Sequence, residues 1–172
     1  MGITTSTREQ LVLGVGEFYV DDVSVGATGQ EGSFVVEQSL YFPEIGGARG
    51  PVKGTGKVLV ERARLEVPFL EVRITNLAKV MPTVSSDSDA TSEYTKRENF
   101  GYIPVADHKD VKWVGETMDE KAVEIILYDA LPAGGVTLNL SDTGESTYTV
   151  TFESYCDPAD ADNRTWKVWT EI

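Results

Sequence analysis

The sequence predicts a mainly β protein: an antiparallel β-sandwich with one short flanking α-helix and a long extended hairpin loop. Apolar and polar residues alternate in several short runs, most clearly from Thr147 to Glu153, which is typical of half-buried strands. Glycine, aspartate and proline signal turns at the spacing that is common in sandwiches. Only one short segment, residues 75–81, has the start and stop signals of a helix.

The length and composition indicate a single domain, residues 1–172, that needs neither a disulfide nor a metal to be stable. A chain of this length buries roughly 70% of its unfolded surface, and the single cysteine, Cys156, has no internal partner. The N-terminal residues lack the apolar core of a signal peptide, and no run approaches the ~20 apolar residues of a membrane span. We therefore expect a protein that is made and folded in a cytosol.

The charge balance restricts the partners. The chain contains 15 basic and 28 acidic residues, which gives a formal net charge of −13. Affinity for nucleic acid depends on clustered lysine and arginine, so this balance argues against DNA or RNA as a bound ligand. It is compatible with a protein to which DNA must not adhere.

The chain begins with a loose or docking arm, residues 1–10, and a strand from Leu11 to Val20. A second strand is predicted from Ser33 to Phe42, because Phe34 and Val36 alternate with polar neighbours. Turns are expected between these strands, at Asp21, Asp22, Gly26, Gly29 and Gly32.

The hairpin loop at residues 41–56 is the most unusual segment. Hairpin loops usually have ~2–5 residues, and longer ones are mostly functional or disordered. Its glycines and prolines can shape it without a helix or strand, and it carries Arg49 and Lys53 in a very acidic chain. We interpret it as a contact loop, with a floppy surface loop as the alternative. The expected contact residues are Tyr41, Phe42, Pro43, Arg49 and Lys53.

A long strand is predicted from Lys57 to Ile74, and its charged residues alternate in sign. They form either a solvated sheet face or a ladder of salt bridges between subunits. Each exposed pair contributes only ~0–1 kcal/mol, so such a ladder would set register and partner choice more than stability. Near Pro68 the apolar residues change from the odd to the even positions of the strand, which indicates a β-bulge or an edge position. The residues of this charge ladder are Glu61, Arg62, Arg64, Glu66, Glu71 and Arg73.

The predicted helix, residues 75–81, is too short to be stable alone and should pack on the sheet. Residues 83–99 are polar and lack periodicity, so we predict a mobile external loop. Two strands are expected at residues 111–118 and 122–128, and the segment 129–135 should then break the chain.

A half-buried hairpin is predicted from two alternating runs, residues 136–141 and 147–153. The C-terminal segment, residues 156–172, ends with Trp166 and Trp169 close together. Exposed tryptophans are costly, so these two either close the core or dock on a neighbour.

The sequence contains only weak matches to catalytic and metal-binding motifs. The single histidine, His108, lies in a polar loop-like context, and a nucleophilic pair with Cys156 is opposed by the simpler reading of an exposed loop histidine. Residues 160–171 partly match a calcium loop, but Arg164 and Thr165 occupy positions that need a ligand and a glycine. We therefore expect no enzymatic activity, no cofactor and no metal.

Three segments carry a family resemblance: VDDVSVGATGQEGSFVVEQSLYFPEIGGARGPVKGTG, LEVPFLEVRITNLAKVMP and GGVTLNLSDTGESTYTVTFESYCDPAD, which start at Val20, Leu65 and Gly134. In this order the chain resembles the tail tube proteins, or major tail proteins, of tailed bacteriophages. Residues 83–133 and the tryptophan-rich C terminus match the family least.

The resemblance implies a virion protein whose hexameric rings stack into a hollow tail tube. The contact loop would reach the adjacent ring, and sheets of all subunits would line a lumen through which DNA passes without specific binding. Other partners would be the tape measure, the tail terminator, and the baseplate or distal-tail proteins, and synthesis would occur in the bacterial host cytoplasm. The candidate lumen-facing acidic residues are Glu17, Glu37 and Glu153.

Two alternatives stay open. A tube-end or distal-tail virion protein would form one ring and stop. A monomeric β-sandwich that binds carbohydrate would expose aromatic residues on one face, for which Trp113, Trp166 and Trp169 are the candidates.

Overall fold

The computed structural model describes residues 12–29, 32–47, 49–70, 74–82, 84–88, 93–97, 101–139, 147–157, 159 and 165–171. Within these ranges the chain forms ten antiparallel strands and one α-helix. The helix is α1 (Ile74–Val80), and the strands are β1 (Val12–Val20), β2 (Val23–Ala27), β3 (Ser33–Tyr41), β4 (Lys57–Phe69), β5 (Val84–Ser88), β6 (Glu93–Arg97), β7 (Lys109–Thr117), β8 (Ala122–Asn139), β9 (Thr147–Glu153) and β10 (Trp166–Thr170).

Eight of the strands form two layers that share one long strand, β8, and β5 and β6 form a separate two-stranded sheet. The first layer has the order β2-β1-β7-β8-β10, and the second has the order β8-β9-β4-β3. The part of β8 up to Ala130 pairs with β7 and β10, whereas the part from Leu131 pairs with β9. We call these the β1 layer and the β4 layer. The mainly β architecture predicted from the sequence is confirmed.

The predicted break at residues 129–135 is wrong, because β8 continues through it. Asp129 has a φ of 47°, and the pairing with β9 shifts register between Pro132 and Val136. Gly134 and Gly135 have φ values of 89° and 91°, which glycine adopts without steric cost. The glycines and the proline therefore form the irregular stretch by which one strand serves both layers.

The core lies between the two layers and is rich in aromatic residues. Phe18 of β1 contacts Phe69 of β4 and Phe152 of β9, with ring centroids 5.1 Å apart in both pairs. Phe69 also stacks on Tyr148 at 4.7 Å. These side chains alternate with outward-facing residues along their strands, so the interior is that of a sandwich.

Strand β4 ends earlier than predicted, at Phe69, and α1 begins at Ile74. Its pairing with β9 continues through Pro68 without a shift in register, so of the two predicted alternatives there is no bulge, and Pro68 lies where β4 no longer pairs with β3. The Pro68 carbonyl accepts a bond from the Gly29 N–H. In an extended strand the nitrogen and oxygen of one residue point to the same side, so the nitrogen of Pro68 faces away from β9. On that side β3 pairs with β4 only as far as Glu66, opposite Ser33. The missing N–H of Pro68 therefore removes no hydrogen bond from the β3–β4 ladder.

Two further elements differ from the prediction. Strand β2 lies where only turns were expected, and it joins β1 through Asp21 and Asp22, which have φ values of 48° and 61°. Residues 83–99, predicted as a mobile loop, contain the antiparallel hairpin β5–β6. That hairpin lies beside α1, whose Asn76 amide donates to the Val25 carbonyl at 2.6 Å. The helix is thereby fixed on the β2 edge of the β1 layer.

A tryptophan covers a pair of glycines within the β1 layer. Gly16 and Gly115 lie opposite each other in the register of β1 and β7. A Cβ at Gly115 would lie 2.1 Å from the Trp113 ring, so only glycine fits beneath it. The indole N–H donates to the Thr28 hydroxyl at 3.1 Å, and that hydroxyl in turn donates to the Gly16 carbonyl at 2.9 Å. The ring is therefore held flat across both strands.

Candidate assembly interface

The end of the β3–β4 hairpin extends beyond the β4 layer. Strand β9 pairs with β4 only from Arg64 to Phe69, whereas β3 pairs with β4 as far as Lys57. Among the described residues, the first part of β4 therefore has β3 as its only strand neighbour. We call residues 39–41 of β3 and 57–60 of β4 the ribbon.

The ribbon is apolar and exposed on both faces. Val58, Leu59 and Val60 are 47%, 57% and 49% exposed. The register of β3 and β4 shifts between Ser39 and Leu40 and leaves Leu59 without a partner in the ladder, so these three residues do not alternate strictly. The successive residues Leu40 and Tyr41 of β3 do point to opposite faces. Across the ladder, Leu40 and Tyr41 are 55% and 52% exposed. An isolated two-stranded hairpin is marginal in water, and this one also presents apolar side chains on each side.

The contact loop lies between Tyr41 and Lys57, and its described residues, 42–47 and 49–56, have a defined shape. A Cβ at Gly56 would lie 2.6 Å from the Phe42 ring, so the ring can pack here only because residue 56 has no side chain. Gly47 and Gly54 have φ values of 89° and 87°, which side-chain-bearing residues rarely adopt. The loop encloses a cleft of about 650 Å³ lined in part by Phe42 and Ile45, both of which remain exposed at its rim.

The predicted contact residues lie together on this hairpin. Phe42, Arg49 and Lys53 are exposed in the loop, Pro43 is half-buried, and Tyr41 is the last residue of β3. The structure thus presents cationic and aromatic side chains at one end of the molecule.

Glu61 lies at the base of the ribbon and faces the core side of β4. Its carboxylate accepts hydrogen bonds from the Gln38 amide at 2.5 Å and from the Trp166 indole N–H at 2.7 Å. Sequence reasoning placed Glu61 in a charge ladder and did not identify these partners. Trp166 lies 105 positions further along the chain, so no local pattern could indicate the contact.

Three further ladder residues, Arg62, Arg64 and Glu66, face outward. Arg64 contacts Glu153 through Nε at 3.1 Å and Glu37 through Nη1 at 3.6 Å, and Arg62 approaches Glu153 at 3.8 Å. Glu66 is exposed on the same face of β4. These arginines thus have partners inside the subunit. The remaining two ladder residues, Glu71 and Arg73, lie outside the described residues.

The three acidic residues predicted for a lumen do not share one face. Glu37 and Glu153 lie on the outer face of the β4 layer, beside the arginines described above. Glu17 lies on the outer face of the β1 layer, because its neighbour Phe18 points into the core. Hydrogen bonds from the Ser24 hydroxyl at 2.5 Å and the Tyr19 hydroxyl at 2.7 Å lower the pKa of Glu17. The hydrogen bond between Tyr19 and Glu17 raises the pKa of the Tyr19 hydroxyl.

The tryptophans do not form the exposed platform expected of a carbohydrate-binding module. Trp113 is buried between the layers, and Trp166 packs edge-on against Phe34 with ring centroids 5.7 Å apart. Only Trp169 of this set is exposed, at 41%. Of the two alternatives for the C-terminal tryptophans, Trp166 therefore joins the core, whereas Trp169 remains available to a neighbour.

His108 makes contacts that keep its ring in place. It packs edge-on against Tyr155 at 5.5 Å, and its Nδ1 lies 3.3 Å from the Val105 carbonyl oxygen. Cys156 follows Tyr155 and is exposed. No group of three metal-binding side chains occurs within the described ranges, and residues 160–164 of the segment that partly matches a calcium loop lie outside them. Where the chain is described, no helix has the length and apolarity needed to cross a bilayer.

A second apolar patch, which sequence reasoning did not single out, precedes β7. Tyr102 is 87% and Val105 is 77% exposed in the segment that ends with a 3₁₀ turn. The apolar run YIPV at residues 102–105 was the available signal.

No protein-family profile matches the sequence, and no curated protein matches it significantly. The fold is similar to a chain of the PVC sheath–tube complex of an extracellular contractile injection system, solved in the extended state. That similarity has a TM-score of 0.47 and 9% sequence identity, and it covers 99% of each chain. The fold is also similar to Hcp1 from Flavobacterium johnsoniae, with a TM-score of 0.36, 15% identity, and coverage of 80% of this chain and 88% of that one. At these scores the similarities do not by themselves assign a function.

Proposed function

We propose that this protein is a structural subunit of the hollow tail tube of a tailed bacteriophage, and that it assembles into stacked hexameric rings. The observation that supports this most directly is the ribbon, which is apolar on both faces and lies outside the sandwich core. The sequence resemblance to tail tube proteins supports the choice of assembly.

The ribbon is suited to insertion between neighbouring subunits. Full burial of one valine or leucine side chain contributes ~1.5–3 kcal/mol, and the ribbon offers such side chains on two faces. A second copy that covered only one face would leave the other wet, so contacts on both sides are favoured. In the proposed tube the ribbon inserts into a different surface of the next subunit. Such a contact is heterologous, and its repetition gives rings or filaments.

The charge of the chain fits a conduit for DNA. Each chain has a net charge of −13, so a tube built from many copies would repel phosphate and let DNA slide without specific binding. We propose that outward-facing carboxylates line the lumen. Glu37 and Glu153 are balanced by Arg62 and Arg64 within the subunit, so repulsion would depend on further acidic residues as well.

In this proposal the protein acts in the virion tail and has no enzymatic activity and no cofactor. It is made in the bacterial host cytoplasm, and its partners are copies of itself, the tape measure, the tail terminator, and the baseplate or distal-tail proteins.

The direct test replaces residues 42–56 by a two-residue Asn-Gly turn, which joins Tyr41 to its ladder partner Lys57 and closes the hairpin without the contact loop. We expect folded monomers or single rings and no tubes by negative-stain electron microscopy. The control is the unmodified chain, prepared in parallel and examined at the same concentrations. Tubes from the loop-replacement variant would refute the role of the loop. Single rings from the unmodified protein, without stacking, would instead indicate a tube-end protein.

A further inference from the structure

Glu61 marks the boundary between the ribbon and the sandwich. The four residues before it in β4 are exposed, whereas Ala63 and Leu65 after it are buried. Strand β9 begins to support β4 only at Arg64. The side chain of Glu61 is therefore the first on the core side of β4 that can fix the direction of the ribbon.

The carboxylate of Glu61 joins the two layers of the sandwich. Its Oε2 accepts from Gln38, which lies directly opposite in the ladder of β3 and β4. Its Oε1 accepts from the indole of Trp166 and, at 3.5 Å, from the hydroxyl of Thr165. Trp166 begins β10, which pairs with β8 in the β1 layer. One carboxylate thus links the C-terminal strand to the base of the hairpin.

The packing around this contact supports a precise position. Trp166 is half-buried and its ring rests against Phe34 of β3, so the indole N–H is directed by contacts on the core side. Hydrogen bonds to an ionised acceptor are stronger than neutral ones. The two-stranded ribbon has no third strand beside it, so a tether at its base restricts motion along its whole length.

We propose that Glu61 is a positioning residue through which the docked C-terminal strand β10 sets the direction of the ribbon and makes the subunit competent to assemble. The assembly part of this inference rests on the proposed function. The mechanical part, that β10 restrains the ribbon through Glu61, concerns the single subunit and is measured separately.

The test uses Trp166→Phe, which keeps an aromatic ring beside Phe34 and removes the indole donor together with part of the ring volume. Amide hydrogen exchange is measured on the full chain at a dilution where it is monomeric. We expect exchange of the ribbon amides to become about tenfold faster, because loss of one hydrogen bond to a charged group affects local opening by this order. Exchange in β9 should not change.

Two further variants make the result decisive. Trp169→Phe removes an indole from the exposed side of the same strand and should leave ribbon exchange unaltered. Glu61→Gln removes the charge and should accelerate ribbon exchange as Trp166→Phe does. If Trp166→Phe also accelerates exchange in β9, the subunit as a whole has been destabilised. Ribbon exchange in Glu61→Gln, compared with its exchange in β9, then decides whether Glu61 restrains the ribbon.

Assembly is measured in parallel by negative-stain electron microscopy. We expect fewer or shorter tubes from Trp166→Phe and Glu61→Gln at concentrations where the unmodified protein forms tubes. Unchanged ribbon exchange in both variants would overturn the mechanical part, whatever the tubes do. Faster exchange with normal tubes would overturn the assembly part. Absence of tubes from the unmodified protein would refute the proposed function and the assembly part, while the exchange data would still decide the restraint.

Discussion

Side chains around Trp113 illustrate how single residues fix the position of β1 against β7. The ring covers Gly16 and Gly115, and its N–H is satisfied by Thr28 inside the fold. Alanine in a strand is usually more favourable than glycine by ~0.5–1 kcal/mol. Here the added methyl group would overlap the indole, so the usual preference is reversed.

We predict that Gly115→Ala lowers the free energy of unfolding by ~1–3 kcal/mol, the usual cost of overpacking a core. Chemical denaturation of the monomer measures the change. The control Gly46→Ala adds the same atom in open space and should change stability by less than ~0.5 kcal/mol. Equal stability of the two variants would show that Trp113 does not cover Gly115 as described.

Glu17 provides a prediction about pH. Its pKa is lowered first by the Ser24 hydroxyl and then by the Tyr19 hydroxyl. A carboxylate whose pKa is lower in the folded state stabilises the fold above its unfolded pKa, and this contribution is lost as pH falls through the folded pKa. We predict that Ser24→Ala raises the pKa of Glu17 towards its ordinary value, as observed by an NMR titration of the Glu17 carboxyl. Tyr19→Phe should raise it less, and a larger rise for Tyr19→Phe would reverse the assigned order.

At the scale of elements, the ribbon differs from the rest of its own strand. Leu59 and Leu65 both belong to β4, but Leu59 is 57% exposed and Leu65 only 3%. The same residue type on one strand thus contributes to the core in one case and to a free surface in the other.

We predict that Leu65→Ala costs ~2–5 kcal/mol of unfolding free energy, as large-to-small core changes do. Leu59→Ala should cost less than ~0.5 kcal/mol in the monomer but weaken assembly. If Leu59 is buried between subunits, loss of ~1.5–3 kcal/mol should raise the concentration required for assembly about tenfold or more. Thermal unfolding and sedimentation velocity measure the two effects, and an unchanged assembly threshold would exclude Leu59 from the interface.

The elements that the sequence predicted well are those with an apolar face. Strands β3, β7 and β9 alternate regularly, and α1 has clear end signals, so their bounds differ from the predictions by two residues or fewer. The hairpin β5–β6 was missed because its two strands consist mainly of polar residues, such as Ser85 and Thr95, and therefore lack an alternating apolar pattern. The long β8 was divided because glycine and proline usually end a strand, whereas here they form its irregular middle.

The candidate interface was predictable in part. The length and composition of the loop at residues 42–56 identified it as unusual, and the structure adds that the strands leading to it are themselves exposed and apolar. The contact between Glu61 and Trp166 depends on how the two layers pack, and local sequence patterns carry no information about that. For the same reason the sequence could not show that Glu17 faces away from Glu153.

At the scale of the whole molecule, charge and apolar surface act in opposite directions. Copies with a net charge of −13 repel each other, while the ribbon favours contact. The range of the repulsion is set by salt, since the Debye length falls from ~10 Å at 0.1 M to ~3 Å at 1 M.

We predict that assembly requires less protein as sodium chloride is raised from about 0.1 M to about 1 M, because repulsion is screened while apolar contacts persist. Light scattering across a concentration series at each salt measures the threshold. A threshold that rises with salt would mean that attraction involving cations such as Arg49 and Lys53 outweighs both effects.

The most direct measurement is negative-stain electron microscopy of the purified full chain over a series of concentrations, with light scattering on the same samples. We expect hollow tubes or stacked rings of uniform width above a threshold concentration. A monodisperse monomer at every concentration and salt would contradict the claim that this chain builds a tube by itself.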